Sequence, residues 1–387
     1  MDFLLSDDHK TIIKAVEAVT KKFDADYWLS KDKHGGFPED FYQAFASGGW
    51  LGIALPEHHG GSGLGVTEAA LLMMTVASGG GAMAAASCLH MNIFGPNSIA
   101  VFGSEDQKRR WLPDIINGTC KMCFGVTEPD AGLDTTRIKT KAVLNGDHYL
   151  VNGQKVWTST AQVADKIMLL ARTSPRTDDN PTRGLSLFFT DLDRASVSIR
   201  EIDKMGRKAV DSNEVYFDNM KISVDDRIGE EGDGFSYILH SLNPERILLS
   251  AEAIGIGRDA LSRAANYARE RKVFQRPIGQ NQSIQHPLAI NWAELDAAFL
   301  STMKAAWLYD NNQPCGIAAN AAKYLAAEAS FSACKQAVIT HGGMGYAREY
   351  HVERLMREVM IPYLAPVSQQ MALNFIAEKA LSLTKSY

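Results

Sequence analysis

The periodicity of the apolar residues changes twice along this 387-residue chain, and no other feature limits its possible folds as much. Residues 1–121 carry apolar residues at helical spacing, as in "SDDHKTIIKAVEAV", where a serine stands at the helix start. Residues 122–232 are short β-branched and aromatic runs separated by Gly, Asp, Asn and Pro, and "VNGQKVW" contains an Asn-Gly pair typical of a hairpin turn. Residues 233–387 return to long helical segments with Ala-rich faces.

This order predicts an α+β chain that is mostly helical and has three domains. An N-terminal helical domain (1–121) precedes a small antiparallel β-barrel or sandwich (122–232), and a C-terminal four-helix bundle (233–387) follows. No alternation of strands and helices and no G-x-G-x-x-G after a strand is present. A Rossmann-type nucleotide domain is therefore not indicated.

Composition argues against two classes of partner. The net charge is −5, so no basic surface for nucleic acid is indicated. Residues 69–89 carry no charge and reach the length of a membrane span. However, the glycines at 79–81 and the many Ala and Ser residues favour two buried helices that meet there. We therefore expect no membrane insertion.

The first residues and the cysteines bear on the location of the protein. The opening "MDFLLSDDHK" contains acids in place of the positive region of a signal peptide. Five cysteines are scattered along the chain, which favours a reducing compartment. Cys120 and Cys123 form a C-x2-C pair, but no second pair has the spacing of a zinc site, so no metal is expected. These features predict a cytoplasmic protein.

One glutamate lies where the helical pattern predicts an apolar face. The stripe through "LNPERILLSAEAIG" (242–255) and its flanks consists of Phe235, Ile238, Leu242, Glu245, Leu249, Ala253 and Ile256. A carboxylate that faces a core costs several kcal/mol unless it is paired, protonated or solvated by a cavity. Arg246 follows directly and so points about 100° away on a helix, which weakens the simplest pairing. Glu245 is therefore either a buried ion-pair partner or a base that faces a substrate, and Glu252 is a competing carboxylate.

Several motifs, in this order along the chain, resemble those of the acyl-CoA dehydrogenase family. They are "GSEDQKRRWLP" before the β unit, "CFGVTEPDAGLDTT" (123–136), "NGQKVWTS" (152–159), "ARERKVFQRPIGQNQSIQ" (268–285) and "HGGMGYAREYHVERLMRE" (341–358). The resemblance covers essentially the whole chain. It implies the helical–β–helical fold and FAD as the cofactor.

The resemblance also implies which residues hold FAD between the β domain and the bundle, across a subunit interface. Beside the flavin it implies Phe124, Val126, Thr127, Gly132, Trp157, Thr158 and Ser159. At the pyrophosphate and adenosine of the partner's FAD it implies Arg271, Phe274, Gln282, Gly342, Gly343, Ser368 and Gln370. Hydroxyls and backbone N–H groups suit the polar edge of a flavin, and an arginine fork suits a diphosphate. Without the family pattern, Trp157 would be read equally as a core residue and Arg271 as a solvated charge.

The position of the catalytic base is a departure from most of the family. Its members usually carry the glutamate that removes the substrate's α-proton in a C-terminal loop, but with Ser368 and Gln370 in register Pro366 stands there, and a proline cannot accept a proton. A minority, the isovaleryl-CoA and long-chain types, places the glutamate on the helix that leads the bundle, directly before an arginine. "LNPER" matches this pattern, so Glu245 is the predicted base.

The residues around Glu245 are then implied to contact the substrate. Asn243 and Arg246 match positions that touch the CoA moiety, and Pro244 is expected to kink the helix and help aim Glu245. Ala86 and His90 match positions that line the acyl pocket. Small residues there predict room for a longer or bulkier acyl group, although His90 is equally compatible with a core histidine.

Two further departures concern CoA and the thioester. Leu133 replaces a serine that helps to hold CoA in relatives. Pro366 lacks the backbone N–H that donates to the thioester carbonyl in relatives, and the loss of one such donor costs on the order of 3 kcal/mol of transition-state stabilisation. A ribityl hydroxyl of FAD would remain, and the N–H of Val367 is an alternative donor.

The predicted function is therefore an FAD-dependent acyl-CoA dehydrogenase of fatty acid metabolism. Glu245 removes the α-proton, the β-hydrogen leaves as hydride to flavin N5, and the electrons pass to an electron-transferring flavoprotein. The expected assembly is a homotetramer, a dimer of dimers. Two alternatives stay open: an offshoot that uses O2, such as an acyl-CoA oxidase or a flavin monooxygenase, and a catalytically silent FAD-binding protein that serves assembly or binding.

Overall fold

The N-terminal region folds into seven helices, as the computed structural model, which describes residues 4–386, shows. They are α1 (Asp7–Thr20), α2 (Ala25–His34), α3 (Glu39–Ala46), α4 (Val66–Val76), α5 (Ala82–Phe94), α6 (Asn97–Phe102) and α7 (Glu105–Ile116). The serine predicted at the start of α1 is its N-cap, because the Oγ of Ser6 accepts the N–H of His9 at 3.1 Å.

The uncharged stretch forms two buried helices, as predicted. A five-residue π-helical segment, Ala77–Gly81, joins α4 to α5, and Gly80 adopts a positive φ of +90° there. Arg354 donates to the carbonyl of Gly80 at 2.6 Å, and a carboxylate oxygen of Glu358 accepts the N–H of Ala84 at 2.9 Å. The backbone groups exposed at this junction are thus paired within the protein.

The same stretch belongs to a helical run that is long and apolar enough to cross a membrane. In the described part of the chain, Val66–Phe102 is the one run with these properties, and 89% of its most apolar part is buried against the rest of the protein. A buried core helix has these properties too.

The middle region forms a mixed β-sheet. The strands are β1 (Met122–Gly125), β2 (Lys141–Asn145), β3 (His148–Ser159), β4 (Lys166–Arg172), β5 (Leu185–Asp191), β6 (Val197–Glu201), β7 (Ser212–Ser223) and β8 (Arg227–Ile228). Their order is β6-β7-β3-β2-β4-β5-β8, with β1 beside β4. Most neighbours are antiparallel, as predicted, but β1 and β2 each pair with β4 in parallel.

The hairpin turn predicted at "VNGQKVW" is wrong. Residue Asn152 lies inside β3, where its side chain accepts the N–H of Asn219 at 2.9 Å, and the register shifts just before Gly153. A Cβ on Gly153 would lie 2.6 Å from the Cα of Thr140, so the glycine allows a close approach of two backbones. The turn falls instead at a second Asn-Gly pair, where Gly146, with a φ of +66°, joins β2 to β3.

The C-terminal region is a bundle of long helices closed by three short ones. They are α8 (Gly234–Glu270), α9 (Gln282–Asp310), α10 (Gly316–His341), α11 (Val352–Glu358), α12 (Met360–Leu364) and α13 (Gln369–Ala380), with the hairpin β9 (Lys272–Val273) and β10 (Arg276–Pro277) between α8 and α9. The 37-residue helix α8 continues through Pro244. Because Pro244 has no N–H, the carbonyl of His240, four residues earlier, lacks its helical hydrogen bond, and His240 is exposed to water.

The two helical regions share one hydrophobic core. Buried residues of α4 and α5, among them Leu72 and Leu89, belong to the same cluster as Ile254 of α8 and Ala322 of α10. A second cluster joins α7 to the sheet and to Ile238 near the start of α8. Helix α8 is therefore fixed against α5 on one side and against the sheet on the other, and Glu245 lies in the part of α8 between these contacts.

Candidate active site

A buried ion pair holds together the two strand segments that were predicted to face the flavin. One carboxylate oxygen of Glu128 accepts the Nζ of Lys155 at 2.9 Å, and the carboxylate also accepts the N–H groups of Lys139 at 2.6 Å and Thr140 at 2.9 Å. The same Nζ donates to the carbonyl of Val126 at 3.0 Å. This clamp fixes the "GVTEP" segment to β3.

The charges of this clamp respond to burial in opposite ways. Burial lowers the pKa of the Lys155 ammonium to about 8, in spite of the pull of Glu128. Burial also works to raise the pKa of Glu128, but Lys155 and the hydrogen bonds outweigh it and hold that pKa below its usual value. Both residues lie in the motifs quoted above, yet neither was predicted as a site residue.

Beyond the clamp, β3 presents an aromatic wall and two hydroxyls. Trp157 lies at a register shift in β3, has a positive φ of +61° and leaves 58% of its surface exposed. The Oγ1 of Thr158 is buried and has no hydrogen-bond partner among residues 4–386. The Oγ of Ser159 accepts an Nη2–H of Arg207 at 3.0 Å, so its own hydroxyl hydrogen can still be donated.

The "GVTEP" segment lies beside this wall. Phe124 is in β1. The carbonyl of Thr127 accepts the N–H of Val156, the residue before Trp157, at 2.9 Å. Val126 is half-buried, whereas Gly132 and Leu133 lie on an exposed loop beyond it. The predicted flavin-side residues of the β domain thus occur on neighbouring segments, and Gly132 lies farther along the chain.

Glu245 lies in α8 without a partner. It is half-buried, and in residues 4–386 its carboxylate makes no hydrogen bond or ion pair. Arg246, the alternative ion-pair partner, donates instead to the Oδ1 of Asn243 at 3.1 Å. Burial raises the pKa of the Glu245 carboxyl to about 7, in spite of the opposing charges of His90 and Arg246. A carboxyl with this pKa can exchange a proton near neutral pH.

The competing carboxylate, Glu252, is already bound. Its Oε1 lies 2.5 Å from the Nδ1 of His90, and the two side chains are 0% and 7% exposed. On this face of α8 the buried ion pair is thus formed by Glu252 with His90, and Glu245 takes no part in it. His90 also packs on Phe94 with ring centroids 4.7 Å apart, and Phe94 packs on Phe124 with centroids 5.2 Å apart. This row of rings connects α5 with β1.

The residues predicted to reach the partner's cofactor lie at the ends of the bundle helices. Arg271 and Phe274 lie on the segment between α8 and α9, and Gln282 is the first residue of α9. Phe274 is 96% exposed at the tip of the β9–β10 hairpin. Gly342 and Gly343 follow α10 and are exposed as well. The exposed rings of Trp157 and Phe274 offer apolar surface that a bound cofactor or a partner subunit would cover.

Ser368 and Gln370 belong to the segment that replaces the usual base. The Oγ of Ser368 accepts the N–H of Met371 at 3.3 Å and so caps α13, while Gln370 is exposed. Between α12 and α13, Pro366 lies half-buried in a loop. Ser368 therefore has a structural role whatever else it contacts.

Sequence models of three known domains together match most of the chain. They are the acyl-CoA dehydrogenase N-terminal domain over residues 6–119, the middle domain over 123–220 and the C-terminal domain over 232–381. The chain belongs to the acyl-CoA dehydrogenase family.

Individual members of this family are similar over nearly their full length. Acyl-CoA dehydrogenase FadE12 of Mycobacterium tuberculosis is 36% identical over 391 residues, which cover 100% of this chain and 99% of the relative. The caffeyl-CoA reductase-Etf complex subunit CarC of Acetobacterium woodii is 32% identical over 358 residues, 92% of this chain and 93% of the relative. The structure of butyryl-CoA dehydrogenase from Megasphaera elsdenii superimposes with a TM-score of 0.94 at 29% identity and covers 99% and 100% of the two chains.

As a member of this family the protein is an FAD-dependent oxidoreductase, and its residues fit that cofactor. The unpartnered Oγ1 of Thr158, the free hydroxyl hydrogen of Ser159 and the exposed ring of Trp157 offer hydrogen bonds and a flat surface to an isoalloxazine ring. Arg271 offers a guanidinium to a diphosphate. The individual contacts of these residues with FAD stay predictions.

We predict that loss of the buried clamp weakens both the fold and cofactor binding. Glu128→Gln leaves the buried ammonium of Lys155 without its carboxylate, which should cost about 3–5 kcal/mol of unfolding free energy. It should also loosen the "GVTEP" segment and lower the affinity for FAD. Chemical denaturation of the holoenzyme and titration of the apoprotein with FAD measure the two effects.

The matched control for this variant is Asp130→Asn. It removes an exposed carboxylate of the same loop, whose partner Lys139 is also exposed, and should change stability by less than about 0.5 kcal/mol. Equal effects of the two substitutions would show that the clamp has no special role.

Proposed function

We propose that this protein is an acyl-CoA dehydrogenase that introduces an α,β double bond into an acyl-CoA thioester, with Glu245 as the base. The observation that supports this most directly is the state of Glu245. It is a half-buried carboxyl without a hydrogen bond or ion pair among residues 4–386, on the helix where part of the family carries its base. The loop where most of the family carries it holds Pro366 instead.

In the proposed reaction Glu245 takes the proton from the α-carbon, and the electron pair of that C–H bond becomes the second bond between the α- and β-carbons. When bound, FAD supplies the two-electron acceptor for the β-hydrogen, which leaves with its electron pair. Trp157 and the Ser159 hydroxyl orient the cofactor, and Asn243 and Arg246, one turn apart on α8 and hydrogen-bonded to each other, bind the CoA part. The product is the enoyl-CoA and a protonated Glu245.

Replacement of the base should stop the reaction without preventing binding. Glu245→Gln keeps the shape of the side chain but cannot accept a proton, so bleaching of the flavin absorbance by acyl-CoA under anaerobic conditions should slow by about 10²–10⁴-fold. Binding of the same acyl-CoA, measured by calorimetry, should persist. A panel of acyl chain lengths is needed because the sequence predicts only a roomy pocket.

The control for this experiment is Glu201→Gln, which neutralises an exposed carboxylate on β6 and should bleach at the wild-type rate. Wild-type bleaching by Glu245→Gln would exclude Glu245 as the base. If no acyl-CoA bleaches the wild-type protein, the catalytically silent alternative gains support.

The raised pKa of Glu245 predicts how activity depends on pH. The base must be deprotonated to act, so kcat/KM should rise with pH through a midpoint near 7, the value for Glu245 in the free enzyme. Below this midpoint kcat/KM should fall about tenfold per pH unit. A steady-state profile from pH 5 to 9 measures it, and a midpoint near 4.3, about that of an ordinary glutamate, would contradict the assignment.

We further propose an electron-transferring flavoprotein as the electron acceptor and a homotetramer, a dimer of dimers, as the assembly. The name of the relative CarC connects that protein to an Etf complex. The exposed apolar residues Ile290, Trp292 and Leu300 of α9 and the exposed Phe274 support an assembly that covers them. The five cysteines, all free thiols, support the proposed cytoplasmic location, and a role in fatty acid metabolism follows from the substrate class.

The nature of the acceptor can be tested on the substrate-reduced enzyme. We expect an electron-transferring flavoprotein to reoxidise it much faster than air-saturated buffer does, in stopped-flow absorbance measurements. Rapid reoxidation by air with release of hydrogen peroxide would favour the alternative that uses O2. Light scattering of the same sample should give the mass of four chains.

A further inference from the structure

The ion pair between His90 and Glu252 is buried in the contact between α5 and α8. Glu252 is fully buried, one of its oxygens binds the Nδ1 of His90, and its other oxygen has no partner in the described part of the chain. An ion pair in such surroundings loses most of its attraction to the cost of removing two charges from water. The pair is thus expected to contribute little to the stability of the fold, which leaves its presence to be explained by another role.

The pair lies close to one unpaired charge, that of Glu245. Residues 245 and 252 are seven positions apart on a continuous helix, which is two turns or about 10 Å along its axis, and so they share a face. His90 reaches this face from α5. Its Nδ1 is bound to Glu252, and its Nε2 makes no hydrogen bond within residues 4–386.

The charged groups around this position come from three parts of the fold. Glu245 is faced by His90 from α5 and by Arg246 and Glu252 from its own helix. His90 is faced in addition by Arg207, from the segment between β6 and β7. Arg207 donates to the hydroxyls of Ser87, Ser159 and Ser212 and lies near the carboxylates of Glu358 and Asp211.

We propose that the His90–Glu252 pair is a positioning unit for the base: Glu252 holds His90 as an imidazolium, and the positive charge of His90 favours the ionised form of Glu245 at a site where burial favours the neutral acid. This inference rests on the proposed role of Glu245. His90 and Glu252 act through Glu245 and take no part in bond making or breaking.

The electrostatics of the three groups agree with this arrangement. Burial alone would lower the pKa of His90, but the nearby carboxylates of Glu252 and, more weakly, Glu245 outweigh burial and the positive charge of Arg207, so this pKa is raised. A histidine whose pKa is raised keeps its proton to a higher pH than an ordinary histidine. Of the two members of the pair, His90 has the larger effect on Glu245 and lowers its pKa, while Glu252 has the smaller and opposite effect.

The test is the pH dependence of anaerobic flavin bleaching in His90→Gln and Glu252→Gln. Each substitution removes the positive charge beside Glu245, the first directly and the second because a histidine buried near Arg207 without its carboxylate loses its proton. The acid-side midpoint should therefore rise by about one pH unit in His90→Gln and by less in Glu252→Gln, because the latter also removes the negative charge of Glu252, which opposes His90. Bleaching well below the midpoint should slow about tenfold in His90→Gln and less in Glu252→Gln, and raising the pH should restore it.

Asp259→Asn is the matched control. It removes a carboxylate, bound to Arg263 at 2.9 Å, from the same helix two turns beyond Glu252, and should leave the midpoint unchanged. The double variant His90→Gln/Glu252→Gln removes both charges and leaves neither unpaired. It should show the upward shift of Glu252→Gln, in which both charges are also lost, instead of the sum of the two single shifts, and it serves if either single variant fails to fold.

A second readout does not depend on turnover. In FAD-bound protein with 13C-labelled histidine, the His90 resonance, identified by its absence from His90→Gln, should report an imidazolium at pH 7 in the wild type and in Asp259→Asn. In Glu252→Gln it should report neutral imidazole. Midpoints equal to that of the wild type in all three variants, or a His90 charge that does not change in Glu252→Gln, would show that the pair only packs α5 against α8.

The outcomes separate this inference from the proposed function. If Glu245→Gln bleaches at the wild-type rate, the proposed base is wrong, whatever His90 does. If Glu245→Gln is inactive but the midpoint ignores the pair, only the positioning role fails.

Discussion

The half-buried carboxylate of Glu245, which has no hydrogen bond or ion pair among residues 4–386, is the constraint on which the rest of this site depends. The stripe of α8 that holds Glu245 otherwise consists of apolar and small residues, several of them fully buried. Burial of the charged form raises the pKa of Glu245 to about 7. The site must therefore hold this charge at a tolerable cost while leaving the carboxylate free for a substrate proton. His90 and Arg246 favour the ionised carboxylate by their charge, and because their hydrogen bonds go to other residues they leave it free for the substrate.

The rigidity of the surroundings keeps these groups in place. The shared core of the two helical regions fixes α5 against α8, so His90 can approach the face of α8 without forming part of that helix. On the other side, the clamp of Glu128 and Lys155 fixes the "GVTEP" segment to β3. Arg207 connects the two sides, because it binds Ser87 of α5 and Ser159 of β3. The proposed base and the predicted cofactor surface are thus held by one continuous set of contacts.

The sequence was sufficient where the pattern is local. The change of periodicity predicted the order of helical and β regions, which the family match and the structure confirm. The break in the apolar stripe at Glu245 and the proline at 366 led to the predicted base, which stays a prediction. The hairpin was misplaced because the chain contains two Asn-Gly pairs, and only the structure shows that Gly153 is needed for a close approach to Thr140. Glycine allows a close backbone contact at position 153 and a turn at position 146.

The sequence was insufficient where partners are distant. His90 and Glu252 are 162 residues apart, and each was considered separately, as a pocket residue and as a competing base. Glu128 and Lys155 lie 27 residues apart in two quoted motifs, yet no spacing rule pairs residues on separate strands. Such pairs depend on how elements pack, which periodicity does not specify.

The central claim, that Glu245 is the group that takes the α-proton, can be tested without oxidation of the substrate. An acyl-CoA analogue whose β-position has no transferable hydrogen is incubated with the holoenzyme in D2O, and the exchange of its α-hydrogens is followed by proton NMR. The account predicts rapid exchange with the wild-type protein and none above background with Glu245→Gln. Exchange at the wild-type rate in Glu245→Gln would contradict it.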